Sequence, residues 1–187
     1  MNITKTLYVT SRAAWRKWLE EYYKSEPEIW LVGYRKATGQ PNLPYNTAVE
    51  EALCFGWIDS IRKNLDQERY AQRFSPRKPG TPYSQTNKER LKKLIEQGKV
   101  AAEVLETIDR DELETFEFPA DILAALQANP TAWENFQKYA GTYQRIRVAY
   151  IEARRREPEE FHKRLEHFIR MTQADKQFGY DIEAYYE

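Results

Sequence analysis

Residues 69–93 read RYAQRFSPRKPGTPYSQTNKERLKK, and three kinds of backbone follow one another along them. In RYAQRFS the residues alternate. Arg69, Ala71, Arg73 and Ser75 fall on one side of an extended chain, and Tyr70, Gln72 and Phe74 on the other. That pattern predicts a β-strand. Residues 76–86 hold Pro76, Pro79, Pro82 and Gly80, and no regular element accommodates them. Asn87 then stands where a cap opens a helix to about Gln97, closed by Gly98. Strand, stiff loop and helix in quick succession predict a unit that mixes sheet and helix.

The flanking residues extend this unit upstream. Ser11 or Thr10 caps a helix to about Tyr23, with Trp15, Trp18, Leu19 and Tyr22 on one face. EIWLVGYR, residues 28–35, has the branched and aromatic content of a strand. Residues 37–44 contain Gly39, Pro41 and Pro44 and predict a turn or loop. Asn46 or Thr47 caps a short helix, with Glu50 placed to reach back to it. A strand starts at Trp57. The expected core has Trp15, Trp18, Leu19, Trp30, Val49, Leu53 and Trp57 around one sheet face.

Downstream the pattern changes. Residues 100–187 show almost no strand alternation. A short helix is predicted over 100–105, and Pro119 and Pro130 suit the first turns of two more. Residues 142–156 and 158–171 are amphipathic with many arginines. The expected organisation is an α+β unit over 1–99, with its basic proline-rich loop, followed by an all-helical unit over 100–187.

Composition narrows the functional classes. The 187 residues carry 29 Lys plus Arg against 29 Asp plus Glu, and 41% are hydrophobic. No run approaches the apolar length of a membrane span, and the charged start does not resemble a secretion signal. Cys54 is the single cysteine, which excludes an internal disulfide and fits a cytoplasmic location. The neutral total conceals a basic middle: residues 62–99 hold 11 basic and 4 acidic side chains, and residues 100–187 hold 11 and 18. Such asymmetry serves an anion-binding surface or attraction between the two segments.

No phosphate loop, dinucleotide fingerprint, zinc-protease motif or nucleophile elbow is present, and no cofactor is implied. His162 and His167, five apart on a predicted helix, diverge around it, so no metal site is expected. Cys54, late in an apolar helix, reads as an inert thiol. Glu51 and Asp59 are the carboxylates suited to acid, base or cation chemistry. Each also suits a plain ion pair with Arg62, Arg73 or Arg77. In the basic loop, Arg73, Arg77, Lys78, Tyr83, Ser84 and Asn87 can converge on a small anion at the helix start, with Trp57 and Asp59 opposite. The same residues equally serve as scaffold, three prolines stiffening the loop and Asn87 capping the helix. Basic residues among Tyr and Phe also suit a single nucleic-acid strand, but the zero net charge argues against that partner.

The segment YNTAVEEALCFGWIDSIRKNLDQERYAQRFSPRKPGTPYSQTNKERLKKLIEQGK resembles the YdeI/OmpD-associated family, also called the OmdA or bacteriocin-protection family. The resemblance lies in the glutamate pair Glu50 and Glu51 before ALCFGWID, and in RFSPRKP followed by Ser84 and Asn87. Ser60 stands where the family has glycine, and Tyr83 where tryptophan is common. The match extends over residues 10–100, and WENFQKYAGTYQRIRVAYIEARRREPEEFHKRLEHFIRM follows the family's C-terminal pattern more loosely. The resemblance implies a YdhG/YjbR/CyaY-like sheet-and-helix unit ahead of a helical one. It also implies a link to envelope stress or to antimicrobial-peptide and bacteriocin resistance, which is a phenotype and not a reaction. The expected function is a binding or adaptor protein with a protein partner or a small anion. The alternatives are an enzyme for a small anionic substrate, using Glu51 or Asp59 with Arg73 and Arg77, and a weak single-strand binder.

Overall fold

The computed structural model describes residues 2–179. The chain forms two compact units. One comprises the chain up to Pro82 with Arg90–Asp109, the other Tyr83–Glu89 with the chain from Arg110 onward. Both strands and helices are present, with helices throughout the C-terminal part, so the fold is α+β. Among the described residues no helix is long and apolar enough to cross a membrane.

In the first unit, β1 (Thr6–Leu7), β2 (Ile29–Tyr34), β3 (Trp57–Asn64) and β4 (Arg69–Pro76) form a mixed sheet in the order β1-β2-β4-β3. Only β1 and β2 run parallel. The alternation in RYAQRFS is realised in the register: Phe74, Gln72 and Tyr70 face Ile29, Leu31 and Gly33, and Arg73 faces Trp30. The face that carries Phe74 is covered by α1 (Arg12–Tyr22) and α2 (Tyr45–Cys54). Trp15 packs edge-on against Phe74 and stacks on Trp18, which meets Trp57. The buried indoles keep their N–H groups paired: Trp15 donates to the Ala48 carbonyl and Trp57 to that of Tyr23, each at 3.0 Å. Such pairing is what makes a buried indole tolerable.

Two expectations are corrected here. Trp30 is fully buried but lies on the opposite sheet face, beside Arg73, with its indole N–H on Glu28. An all-apolar strand gives no alternation to phase it. Helix α2 begins at Tyr45, one residue before the expected cap, with Pro44 in the capping position and no side-chain cap. Asn46 instead accepts a hydrogen bond from Arg90 at 2.6 Å, and Glu50 is salt-bridged to Arg12.

Helix α3 (Gln85–Glu96) also opens earlier than expected. Ser84 lies just before it, and its hydroxyl accepts from the Asn87 N–H at 3.4 Å, so the cap is Ser84 and not Asn87. After α4 (Ala102–Leu105), the second unit contains α5 (Arg110–Glu114), α6 (Ala120–Gln127), α7 (Pro130–Lys138), α8 (Gly141–Glu152) and α9 (Pro158–Gln173). Pro130 and Pro158 sit in first turns, where the missing N–H costs nothing. Ile122, Leu126, Phe136, Tyr143, Val148, Ile151 and Phe168 form its core.

Candidate functional site

The sheet face under α1 and α2 is not wholly filled. A cleft of about 390 Å³ remains between the sheet and the start of α2, within the range of small-molecule sites. Leu31, Leu43, Ala48 and Phe74 make its apolar wall, and Tyr45, Asp59, Arg62, Tyr70 and Gln72 its polar one.

A break in β3 creates this polar wall. Asp59 pairs with Phe74, yet Arg62 pairs with Gln72, so β3 carries one more residue than its partner between these two positions. That is a β-bulge, at Ser60 and Ile61. In an uninterrupted strand, residues three apart point to opposite faces. The bulge restores them to one face, and Asp59 and Arg62 both enter the cleft. Ser60, at the bulge, accepts on its hydroxyl from Arg73 and on its carbonyl from Gln72.

The Tyr45 hydroxyl donates to Asp59 Oδ2 at 2.8 Å, and the Gln72 amide approaches the same oxygen at 3.4 Å. Loss of water around the phenol, then the bond to Asp59 and its charge, raise Tyr45 to about 12. Tyr45 therefore remains a hydrogen-bond donor at neutral pH. The Arg62 guanidinium lies 3.5 Å over the centre of the Tyr70 ring, a cation–π stack that leaves its N–H edges available. Among the described residues no carboxylate pairs with Arg62.

Tyr70 reaches across the sheet because residue 33 is glycine. A Cβ at Gly33 would lie 2.4 Å from the ring, inside contact distance. The loop before α2 is held by Asn42, whose amide oxygen accepts from the Tyr34 N–H at 2.7 Å and whose nitrogen donates to the Tyr34 carbonyl at 2.9 Å.

The residues singled out in the sequence have separate surroundings. Glu51 is 1% exposed and lies in a clamp: Arg12 donates to one oxygen at 2.7 Å and Arg16 to the other at 2.9 Å. Burial disfavours the charge on both arginines, but the bonds to Glu50 and Glu51 on one and to Glu51 on the other outweigh it and raise both. Cys54, behind Glu51, is driven up to about 11 by burial and then by that carboxylate, so the thiol is inert at neutral pH. Trp57 is core. Asp59 alone of the set lines the cleft. Arg73 is on the other sheet face, bound to Glu28, which hydrogen bonds from Thr4, Arg73 and Trp30 lower to about 2. Arg77 donates to the Thr81 carbonyl within its own loop, and Lys78 is exposed there. Tyr83, Ser84 and Asn87 belong to the second unit, where the Tyr83 N–H meets Glu112 at 3.1 Å.

Tyr45, Tyr70 and Gln72 were not singled out by sequence reasoning, and Arg62 was named only as an ion-pair partner for Glu51 or Asp59, a pair that is not formed. The alternation of RYAQRFS places Tyr70 and Gln72 together, but no local signal marks the bulge that adds Arg62.

Among curated proteins and solved structures there is no match to this chain. Two family models do match. Residues 115–175 match the family described as Bacteriocin-protection, YdeI or OmpD-Associated. The expected resemblance is thus present, but it falls on the helical part and not on the segment around EALCFGWID. Residues 7–107, which include the whole cleft, match a domain of unknown function, DUF8412. The chain belongs to the DUF8412 family and carries a YdeI/OmpD-associated segment after that domain.

Proposed function

We propose that the chain is a cytoplasmic binding or adaptor protein whose first unit takes a small molecule bearing an anionic group. The observation that carries this reading is the β-bulge, which turns Arg62 into the same cleft as Asp59 while no described carboxylate neutralises it. Arg62 supplies a planar donor edge for a carboxylate or phosphate. Asp59 and Gln72 supply an acceptor and a donor for the rest of the ligand, against the wall of Leu31, Ala48 and Phe74. The family described as bacteriocin-protection supports a role in envelope stress or bacteriocin resistance, with ligand occupancy as the signal.

The test is a thermal-shift series on the full chain with small carboxylates and phosphates. A ligand at about 100 times its Kd stabilises by about 2.7 kcal/mol, several degrees in Tm. Wild type rises with at least one such compound, and Arg62→Gln does not. If no anion moves the wild type, or if Arg62→Gln shifts equally, the reading is overturned.

A further inference from the structure

The cleft does not end at Arg62. A second groove, open to solvent, is lined by Tyr34, Arg35, Lys36, Gly39, Gln40, Asn42, Arg62 and Tyr70. It shares Asn42, Arg62 and Tyr70 with the cleft, so the two adjoin at the Arg62–Tyr70 stack. The charge is distributed unevenly between them. The inner end carries Asp59 and the apolar wall, whereas the outer end has three cations among its lining residues and no acid.

The outer cations have little else to bind. Arg35 and Lys36 are exposed, at the start of a single turn of 3-10 helix, Lys36–Thr38. Among the described residues the Arg35 guanidinium donates only to the Asn64 side-chain amide oxygen, at 3.0 Å, and no carboxylate pairs with it or with Lys36. The amides at the end of this turn are already occupied. Thr38 N–H meets the Arg35 carbonyl, Gly39 N–H that of Lys36, and Gln40 N–H the Thr38 hydroxyl. The charge for anion recognition here comes from side chains, two of them guanidinium forks that match phosphate oxygens. Three cations around one open groove suit a group of more than one negative charge better than a single carboxylate.

On the reading that the cleft binds a small anion, we infer that its ligand is an organophosphate. Its uncharged, hydrogen-bonding body lies between Asp59, Gln72 and the apolar wall. Its phosphate or diphosphate lies outward, between Arg62, Arg35 and Lys36. Arg62, stacked on Tyr70 at the junction, contacts the group that links the two parts.

The test measures binding to the full chain by calorimetry, with nucleosides and free sugars paired against their mono- and diphosphates, and with inorganic phosphate, pyrophosphate and a short oligonucleotide. The expected result is at least one pair in which the phosphorylated member binds tighter by on the order of tenfold or more. In an Arg35→Gln/Lys36→Gln double variant that preference disappears, while the unphosphorylated member binds as before. These residues lie outside the cleft, so loss of folding is checked by an unchanged Tm. If a small carboxylate binds best, the organophosphate inference fails and the small-anion reading stands; if phosphorylated and unphosphorylated members bind alike, both fail. An oligonucleotide that outcompetes every monomer also overturns it, in favour of a strand. If nothing binds, both readings fail.

Discussion

Arg12 and Arg16 close on Glu51, whereas Arg62 lies flat on Tyr70 and leaves Asp59 to Tyr45. Both clusters join an acid to arginine chemistry in the same unit, within a few residues of α2 and β3. They differ in saturation. Both oxygens of Glu51 accept from arginines, and the carboxylate is sealed from water. The cleft cluster is half-open, and its guanidinium has a ring beneath it but no described counter-ion. A saturated cluster fixes α1 on α2 and has no capacity left for a ligand. The unsaturated one contributes little to folding and keeps its donors for something else. Acid and arginine side chains in proximity are thus not a site signature. The signature is the charge that remains after the protein's own partners are counted.

Removing the clamp is the strongest test of this contrast. An Arg12→Ala/Arg16→Ala double variant leaves Glu51 buried without a cation. It should lose about 3–5 kcal/mol in urea unfolding. A loss below about 1 kcal/mol would place Glu51 in the same class as Asp59. Leu53→Ala, beside the clamp and 1% exposed, should cost about 2–5 kcal/mol by the same measurement. A loss under about 0.5 kcal/mol would contradict the packing of α2. Gly33→Ala should cost about 1–3 kcal/mol, because the new methyl displaces the Tyr70 ring and with it the Arg62 stack. Any ligand of the cleft should weaken along with it; unchanged binding would show that the stack is not part of the site.

Arg62→Gln should change stability by no more than about 0.5 kcal/mol and affect ligand affinity alone. A large loss of Tm without ligand would make Arg62 scaffold and erase the contrast. The smallest effect is acid-dependent. Glu28 titrates in the folded protein near 2, below its ordinary value of ~4.3. Its contribution is fully present above that ordinary value and is lost as pH falls from about 4.5 toward 2. Wild type should therefore lose more Tm over this window than Glu28→Gln, with parallel curves as the contrary result.

Much of this fold is legible along the chain. The alternation in RYAQRFS gives β4 and its two faces directly, and Pro130 and Pro158 mark helix starts, because these signals are local. Trp30 is not legible: IWLV is apolar on both sides, and only pairing with β4 fixes its phase. β1 is two residues long and exists through β2, not through its own pattern. The cleft is legible in part. Asp59 stands out as a carboxylate directly after the apolar run 52–58. Arg62 does not, because the bulge that redirects it sits at Ser60 and Ile61, without the glycine that often marks one. The loop 76–86 drew notice through its charge and prolines, but charge in a sequence carries no record of which partner takes it.

Asn42 has a further consequence, for self-association. β1 covers β2 only at Trp30 and Leu31, so the outer edge of β2 is open toward Tyr34. An open edge is a template on which another molecule's strand can dock, the first step of ordered aggregation. By occupying both the N–H and the carbonyl of Tyr34, the Asn42 amide takes the place of that foreign strand within the chain's own loop. The residue that holds the loop before α2 thereby also closes this stretch of the β2 edge to a foreign strand.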